Sequence, residues 1–187
     1  MAPAMVPDLA AATKAASSIK ALEEISAVKS ELRPKVHLEV DTGMTRGGFL
    51  GEWGTLDAHH VANIDIVGIF SHFARADEPD EIANQNQIND FEKKLAQLIE
   101  VGITPKYIHL ANSAATLTNP SSHKNIVRLG IAMYGLSPDV KILGSSQDLE
   151  LQPAMTLKAE IQLVKRVPAS SPVGYGGTQK TSSESKL

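Results

Sequence analysis

The stretch VHLEVDTGMTRGGF, residues 36–49, decides the fold that we expect for this chain. Its first half alternates apolar Val36, Leu38 and Val40 with polar residues, which is typical of a strand with one apolar face and one polar face. Polar and glycine-rich residues follow from Asp41 onwards. A strand that runs directly into such a loop is the beginning of a βα unit, in which the residues just after the strand meet the ligand.

The same arrangement recurs along the chain. Residues 64–70 form a more continuous apolar run than residues 36–41, which suggests a strand covered on both faces. We predict further strands at Tyr107–Ala111 and Ile126–Arg128. Apolar residues at helical spacing predict an amphipathic helix from Asp8 to Leu32, and a second helix follows from Pro79 to Gly102. The apolar residues that share one face of this second helix are Ile88, Phe91, Leu95 and Leu98. Strands that alternate with helices predict an α/β fold with parallel strands.

The composition excludes several classes of protein. The 187 residues include no cysteine, which excludes disulfides, thiolate nucleophiles and iron–sulfur clusters. A net charge of −3 and 4% aromatic residues argue against electrostatic binding or base stacking of nucleic acid. No apolar run is long enough to span a membrane, and the first residues do not resemble a secretory signal. We therefore expect a soluble protein whose chemistry uses side chains other than cysteine.

The pattern changes after Pro138, and we expect a domain boundary there. Residues 1–138 contain the predicted βα units, and residues 139–178 begin a second, β-rich domain. Apolar and polar residues alternate strictly from Met155 to Leu163, which predicts a half-exposed strand of an antiparallel sheet. Residues 179–187 form a polar tail that we expect to be disordered.

Polar residues follow each predicted strand of the first domain, where parallel strands present their ligand-binding groups. The clusters are Asp41–Arg46, Ser71–His72, Asn112–Ser113 and Arg128–Ile131. The last two would place a hydroxyl, backbone N–H groups and Gly130 at helix N-termini, which suits a phosphate group. The alternative is that Ser113 is an ordinary N-cap and Gly130 an ordinary turn residue.

Three further side chains are candidates, each with an alternative that the residues alone leave open. His72 suits a base, a ligand or a ring-stacking residue, or it is a structural histidine. Arg46 could hold a carboxylate or a phenolate, or it could pair with Asp41 or Glu39. Tyr175 lies between glycines in VGYGG, which either present its phenol or make it an aromatic plug in a β-turn. We predict no metal site, because the remaining histidines show no metal-ligand spacing with carboxylates; these are His37, His59, His60, His109 and His123.

Several motifs, taken in order, resemble one family. They are VHLEVDTGMTRGGF at 36–49, GIFSHFARADE at 68–78, HLANSAATL at 109–117, VRLGIAMYGLSP at 127–138, LQPAMTLKAEI at 151–161 and VGYGGT at 173–178. Through them the chain resembles the middle of a bacterial alanine racemase. The resemblance implies a TIM-type barrel of which this chain supplies about strands five to eight. It also implies a pyridoxal 5′-phosphate cofactor, an amino-acid substrate, a homodimer and a cytoplasmic isomerase that interconverts L- and D-alanine for cell-wall precursors.

The resemblance implies roles for individual residues. Ser113, Gly130 and Ile131 would bind the cofactor phosphate, and Asn112 would support the same wall of the site. Arg128 would donate to the pyridine nitrogen and keep that nitrogen unprotonated.

The resemblance also implies three catalytic residues in this sequence, Tyr175, Arg46 and His72, together with a lysine that the sequence lacks. Tyr175 of the partner subunit would move a proton on one face of the α-carbon, and a cofactor-binding lysine would act on the other face. His72 would lie beside the cofactor ring and link Arg128 to this phenol. Arg46 would contact the cofactor phenolate or the substrate carboxylate.

The sequence departs from the family at two places. The family's cofactor-binding lysine lies in a segment resembling VKANAYGH, which this sequence does not contain, so we expect the isolated chain to be inactive. Glu39 stands where many members carry a carbamylated lysine that faces the arginine matching Arg46. Two other functions remain open: a racemase of another amino acid, and a non-catalytic remnant or interaction fragment.

Overall fold

The structure is a computed structural model that describes residues 14–27, 33–56, 60–61 and 63–187. The chain divides into two compact units, Met1–Ala154 and Met155–Leu187. The division between these two units follows Ala154, and the domain boundary that we expect after Pro138 stays a prediction. Residues 139–154 belong to the first unit because they bond to it: the Ala154 N–H donates to the Tyr134 carbonyl oxygen at 3.3 Å.

A four-stranded parallel sheet forms the centre of the first unit, with the strands in chain order. The strands are β1 (Lys14–Ala16), β2 (Lys35–Glu39), β3 (Asp65–Phe70) and β4 (Tyr107–His109). Leu38 of β2 lies opposite Ile69 of β3, and both are fully buried. The predicted α/β fold with parallel strands is confirmed.

Helices connect these strands and cover the sheet. They are α1 (Ile19–Ser26), α2 (Ile82–Glu100) and α3 (Ser113–Thr118). The predicted apolar face of α2 is confirmed, because Ile88, Phe91, Leu95 and Leu98 are all buried. Gly102 follows α2 with φ +85°, a conformation that costs glycine little and that suits a helix end. None of the helices in the described part of the chain is long and apolar enough to cross a membrane.

The helix predicted from Asp8 to Leu32 is wrong in part. Lys14–Ala16 is a strand, and only Ile19–Ser26 is helical; residues 8–13 and 28–32 lie outside the described residues. Ala16 is fully buried and pairs with Leu38, so burial against the sheet decides its conformation. The helix begins only after Ser18, whose Oγ accepts the Ala21 N–H at 3.1 Å.

The strand predicted at Ile126–Arg128 is present only as a single bridge. Ile126 pairs with His109, and the Arg128 N–H donates to the Ala111 carbonyl oxygen at 3.0 Å. The segment therefore lies beside β4 and its extension without enough paired residues to be a regular strand. This placement brings Arg128 to the carboxyl end of the sheet.

The second unit contains four short antiparallel strands among its described residues. β5 (Arg166–Val167) pairs with β8 (Ser185–Lys186), and β6 (Pro172–Val173) pairs with β7 (Gln179–Lys180). The tail expected to be disordered thus carries β7 and β8. The Leu187 N–H donates to the Lys165 carbonyl oxygen at 2.9 Å, which holds the end of the tail against the chain.

The strand predicted from Met155 to Leu163 is wrong. These residues have no strand assignment, and the Leu157 side chain is fully exposed. An alternating pattern forms a strand only where another strand supplies backbone partners. Within the described residues no strand pairs with this segment, so the alternation has no sheet to face.

Candidate functional site

The carboxyl ends of β2, β3 and β4 bring the predicted polar clusters towards Arg128. Its Nη2 donates to the Ser71 carbonyl oxygen at 2.6 Å, and its Nη1 donates to the His109 carbonyl oxygen at 3.1 Å. Ser71 follows β3, and its Oγ lies 2.8 Å from Oγ1 of Thr42, which follows β2. Thr42 and Arg128, which are 86 positions apart in the sequence, therefore lie at the same edge of the sheet.

The Arg128 guanidinium is held on both terminal nitrogens by neutral acceptors. Besides the two carbonyl oxygens, Nη1 donates to Nδ1 of His109 at 2.8 Å, and Nη2 lies 3.3 Å from Nδ1 of His72. The guanidinium carbon also lies 5.4 Å from the centre of the Phe70 ring, a distance at which a cation is attracted to the ring face. For the Nε–H group no acceptor is recorded among the described residues.

Arg128 keeps its positive charge at neutral pH although it is largely desolvated. Burial lowers the pKa of Arg128 to about 10, while the negative charge of Glu39 acts in the opposite direction. Glu39 and Arg128 form no ion pair in the described part of the structure. The site thus contains a fixed cation with one N–H group available to an acceptor on a ligand.

His72 is a neutral imidazole beside this cation. Burial, together with the smaller effects of the Arg128 and Arg46 charges, lowers the pKa of His72 to about 4. Arginine has no acceptor, so Nδ1 of His72 must accept from Arg128 and the proton of the neutral ring is on Nε2. The His72 carbonyl oxygen accepts from Nε2 of Gln87 at 2.9 Å, which fixes the backbone of this loop.

A tight loop after β2 presents Arg46. One carboxylate oxygen of Asp41 accepts the Gly43 and Thr45 N–H groups at 2.9 and 3.1 Å, and Thr45 takes φ +58°. Gly48 closes the loop with φ +104°. Arg46 is exposed and lines a shallow pocket with Glu39, Val40, Asp41, Met44, Gly47, Ser71 and His72.

The alternative in which Arg46 is a structural ion-pair partner is not observed. Neither Asp41 nor Glu39 lies within 4.0 Å of Arg46 as an ion pair in the described residues. Asp41 instead accepts the N–H groups of its own loop. The Arg46 guanidinium is therefore available to an anionic group.

Ser113 and the turn at Gly130 form a small cluster of donors. The Ser113 Oγ accepts the Gly130 N–H at 2.8 Å and the Ala132 N–H at 3.3 Å. Ser113 is not the N-cap that the alternative reading gave, because Asn112 fills that position and its Oδ1 accepts the Ala115 N–H at 3.0 Å. Ser113 is buried, and its own hydroxyl proton has no recorded acceptor among the described residues. A buried donor of this kind suits an anion.

Tyr175 lies in the second unit, in a turn made by glycines. Gly174, Gly176 and Gly177 have φ +70°, +77° and +56°, which only glycine adopts easily. The Tyr175 side chain is fully exposed, so the turn presents the phenol and does not bury it as a plug. Its place in a site with Arg128 stays a prediction.

Sequence reasoning gave no role to three residues that the structure places around this site. His109 and His37 form a hydrogen bond of 2.8 Å, and Gln87 contacts three residues of the loops after β2 and β3. The alternating pattern of β2 places His37 and Glu39 on its polar face. This placement was the sequence signal that could have identified His37. Nothing in the sequence indicates which side chain 72 positions away would meet it.

A sequence model of the family described as alanine racemase, N-terminal domain, matches residues 2–138. The chain belongs to the alanine racemase family. The N-terminal domain of this family is a TIM-like barrel, in agreement with the parallel sheet and connecting helices of the first unit.

Curated relatives and solved structures agree with this assignment. The alanine racemase of Salinispora arenicola is 42% identical over 180 residues, which are 92% of this chain and 47% of the relative. That of Streptomyces coelicolor is 39% identical over 180 residues, covering 91% and 46%. The crystal structure of alanine racemase from Streptomyces lavendulae superposes with a TM-score of 0.85 at 38% identity, covering 93% of this chain and 47% of that one. The chain thus spans about half the length of the alanine racemases that it matches.

Proposed function

We propose that this chain supplies the cofactor-binding half of the barrel of an alanine racemase, which interconverts L- and D-alanine with pyridoxal 5′-phosphate. The observation that carries the proposal is the Arg128 guanidinium, which is fixed at the carboxyl end of the sheet and whose Nε–H has no acceptor among the described residues. In the barrel, β2, β3, β4 and the segment 126–128 are strands five to eight. Membership of the alanine racemase family supports this order and the choice of cofactor.

The donors of the site fit the cofactor at two places. Nε of Arg128 would donate to the pyridine nitrogen, and because the guanidinium keeps its proton at neutral pH, it would leave that nitrogen unprotonated. The Ser113 hydroxyl and the backbone at Gly130 and Ile131 would bind the phosphate, and Asn112 holds the first turn of α3 in place. The Gly130 N–H donates to Ser113 Oγ in this structure and would have to turn to the phosphate. When bound, the cofactor draws electrons from the α-carbon of the substrate and makes its proton acidic.

The remaining candidates handle the substrate and its proton. Arg46 is exposed and unpaired in the described residues, so it holds the substrate carboxylate or the cofactor phenolate. Tyr175 of the partner subunit exchanges the α-proton on one face. Nδ1 of His72 accepts from Arg128, so the proton of the neutral ring is on Nε2. This Nε2–H can donate to the phenol oxygen after the phenol has given up its proton. The active protein is a homodimer in this proposal.

In the family, a lysine holds the cofactor covalently. None of the lysines in this sequence lies in a segment that matches the motif of that lysine. We therefore propose that the isolated chain binds the cofactor without racemising alanine. A purified chain that carried out steady racemisation with added pyridoxal phosphate would contradict this statement.

A chimaera tests the proposed function. The matching segment of the Streptomyces coelicolor alanine racemase is replaced by this chain, and conversion of L-alanine to D-alanine is followed by circular dichroism. We expect racemisation of alanine, and a loss of at least tenfold when the same chimaera carries Arg128→Leu. A folded chimaera that binds the cofactor and racemises no amino acid would refute the proposal. Faster turnover of serine or lysine than of alanine would assign the enzyme to another substrate.

A further inference from the structure

We propose that His37 and His109 are positioning residues that hold the Arg128 guanidinium through a chain of hydrogen bonds between two neutral imidazoles in one fixed tautomeric arrangement. This chain of hydrogen bonds begins at His37 on β2, passes through His109 on β4, and ends at Nη1 of Arg128. The proposal rests on the proposed function only for what Arg128 binds. The arrangement of protons can be tested without any ligand.

The chemistry of arginine fixes the direction of every hydrogen bond in the chain. A guanidinium only donates, so Nδ1 of His109 carries no proton and accepts from Arg128 at 2.8 Å. In a neutral ring the proton is then on Nε2 of His109, which donates to Nδ1 of His37 at 2.8 Å. The proton of His37 is consequently on Nε2. Any other tautomer would place two N–H groups, or two bare nitrogens, against each other.

Ring contacts hold the two imidazoles at these positions. The His109 ring stacks on Phe70, with ring centres 4.9 Å apart and planes at 7°. The His37 ring stacks on Tyr107 at 5.7 Å with planes at 18°. The absence of a side chain at Gly68 makes room for His37, because a Cβ there would lie 2.6 Å from the imidazole.

The surroundings keep both rings neutral. Burial lowers the pKa of His109 to about 3, with the charge of Arg128 as the second cause, and burial also lowers the pKa of His37. The titratable and charged groups around the chain are Arg128, His72, Glu39, Tyr107 and, over the Tyr107 ring, Lys106. No carboxylate contacts either imidazole in the described residues, so nothing in contact favours a protonated ring.

The functional consequence concerns the orientation of one donor. His109 and the carbonyl oxygens occupy the Nη atoms of Arg128 and fix the plane of the guanidinium. Rotation out of this plane would break several of these bonds at once, so the Nε–H keeps a constant direction. His37 acts one step further away, since it holds the Nε2–H of His109 and thereby the acceptor that faces Arg128.

The first experiment measures the tautomers in the cofactor-free chain. Long-range ¹H–¹⁵N correlation spectra of the full 187-residue chain with ¹⁵N-labelled histidine are recorded from pH 8 to pH 5. We expect Nδ1 to be unprotonated and Nε2 protonated in both His37 and His109 at pH 8, and His109 to keep this form down to pH 5. A protonated Nδ1 in either neutral ring, or a cationic ring above pH 6, would overturn the proposal.

The second experiment separates positioning from general packing with a matched pair of variants. His109→Asn keeps an amide oxygen near the position of Nδ1, whereas His109→Leu removes the acceptor. Slow exchange of the Arg128 guanidinium protons, measured by ¹⁵N NMR, is expected in the wild type and His109→Asn and is lost in His109→Leu. His123→Asn serves as the control, because His123 contacts only the Thr116 carbonyl oxygen among recorded partners and lies outside the chain of imidazoles.

Binding of pyridoxamine 5′-phosphate gives the functional readout by titration calorimetry. This probe has the ring and phosphate of the cofactor but cannot condense with lysine side chains. We expect affinity within about threefold of wild type for His109→Asn and a loss of about tenfold for His109→Leu. Equal losses in both variants would show that the ring matters for packing and not as an acceptor. A wild-type chain that fails to bind the probe would refute the proposed cofactor site, while the NMR measurements would still decide the imidazole chain.

Discussion

Replacing Gly68 by alanine tests the packing that holds the imidazole chain. Gly68 lies in β3 and does not have a positive φ, so alanine introduces no backbone strain there. The new Cβ would lie 2.6 Å from two ring atoms of His37, closer than atoms can approach. His37 cannot simply rotate away, because it stacks on Tyr107 and bonds to His109.

The magnitude follows from three effects. Overpacking in a filled site costs about 1–3 kcal/mol, and loss of the hydrogen bond between His37 and His109 costs about 1 kcal/mol more. The lower backbone entropy of alanine in the unfolded chain returns roughly 0.5–1 kcal/mol. These ranges combine to about 1–3.5 kcal/mol, so we expect Gly68→Ala to lower the free energy of unfolding by about 2 kcal/mol.

Urea unfolding measures this change directly. The single tryptophan, Trp53, is 7% exposed and reports unfolding by fluorescence. With a slope of about 1–3 kcal/mol per molar urea for a small protein, the midpoint falls by roughly 1 M or more. Gly51→Ala is the matched control, because a Cβ at this exposed glycine has nothing within 4 Å, and its midpoint is expected to stay near that of the wild type.

A double mutant separates the named contact from other effects. In a His37→Ala background the ring is gone, so adding Gly68→Ala should cost less than about 0.5 kcal/mol. If the cost of Gly68→Ala is the same in both backgrounds, the clash with His37 is not its cause and the reasoning is refuted.

Three further predictions concern the loops and the pH response. Gly48→Ala, with φ +104° and a Cβ only 2.5 Å from the Asp41 nitrogen, should lower the free energy of unfolding by about 2 kcal/mol or more in urea titrations. Gln87→Met removes the side-chain partner of the Ala74 N–H and of the half-buried His72 carbonyl oxygen and should cost about 1–2 kcal/mol by the same measurement. His72 and His109 have pKa values of about 4 and 3 when folded against about 6.5 when unfolded, so the unfolded chain takes up protons first. Their contribution to stability is complete above pH 6.5 and is lost as the pH falls from 6.5 towards 4 and 3; His109→Asn should flatten the dependence of the urea midpoint on pH over that range.

Sequence patterns predicted the elements whose conformation depends on local periodicity and burial on one face. The pattern that predicts β2 lies within 5 residues, and the pattern that predicts the apolar face of α2 lies within a single helix of 19 residues. The prediction failed at Lys14–Ala16 and at Met155–Leu163 for opposite reasons. In the first segment, pairing with β2 overrides a helical pattern, and in the second an alternating pattern finds no partner strand in the described residues.

The candidate site was predictable as a set of strand ends but not as a network. Because parallel strands end at one edge, the positions of Ser71, Asn112 and Arg128 followed from the fold class alone. The bond between His37 and His109 depends on the lateral register of two strands that are not neighbours in the sheet order, with β3 between them. The two rings can meet because Gly68 on that middle strand has no side chain. The sequence alone does not show that a glycine in a strand makes room for a particular ring.

The choice of neutral partners for Arg128 has an electrostatic consequence. A carboxylate in contact would bind the guanidinium strongly but would also cancel its charge and occupy its donors. Imidazole nitrogens and carbonyl oxygens orient the group and leave the charge intact, and Glu39 acts on it only from a distance. Desolvating a cation without a contacting anion costs stability, and a fold retains such a cost where a ligand later uses the charge. The pattern of partners around Arg128 therefore supports the proposal that this residue is a ligand-binding cation, and this support does not depend on any sequence motif.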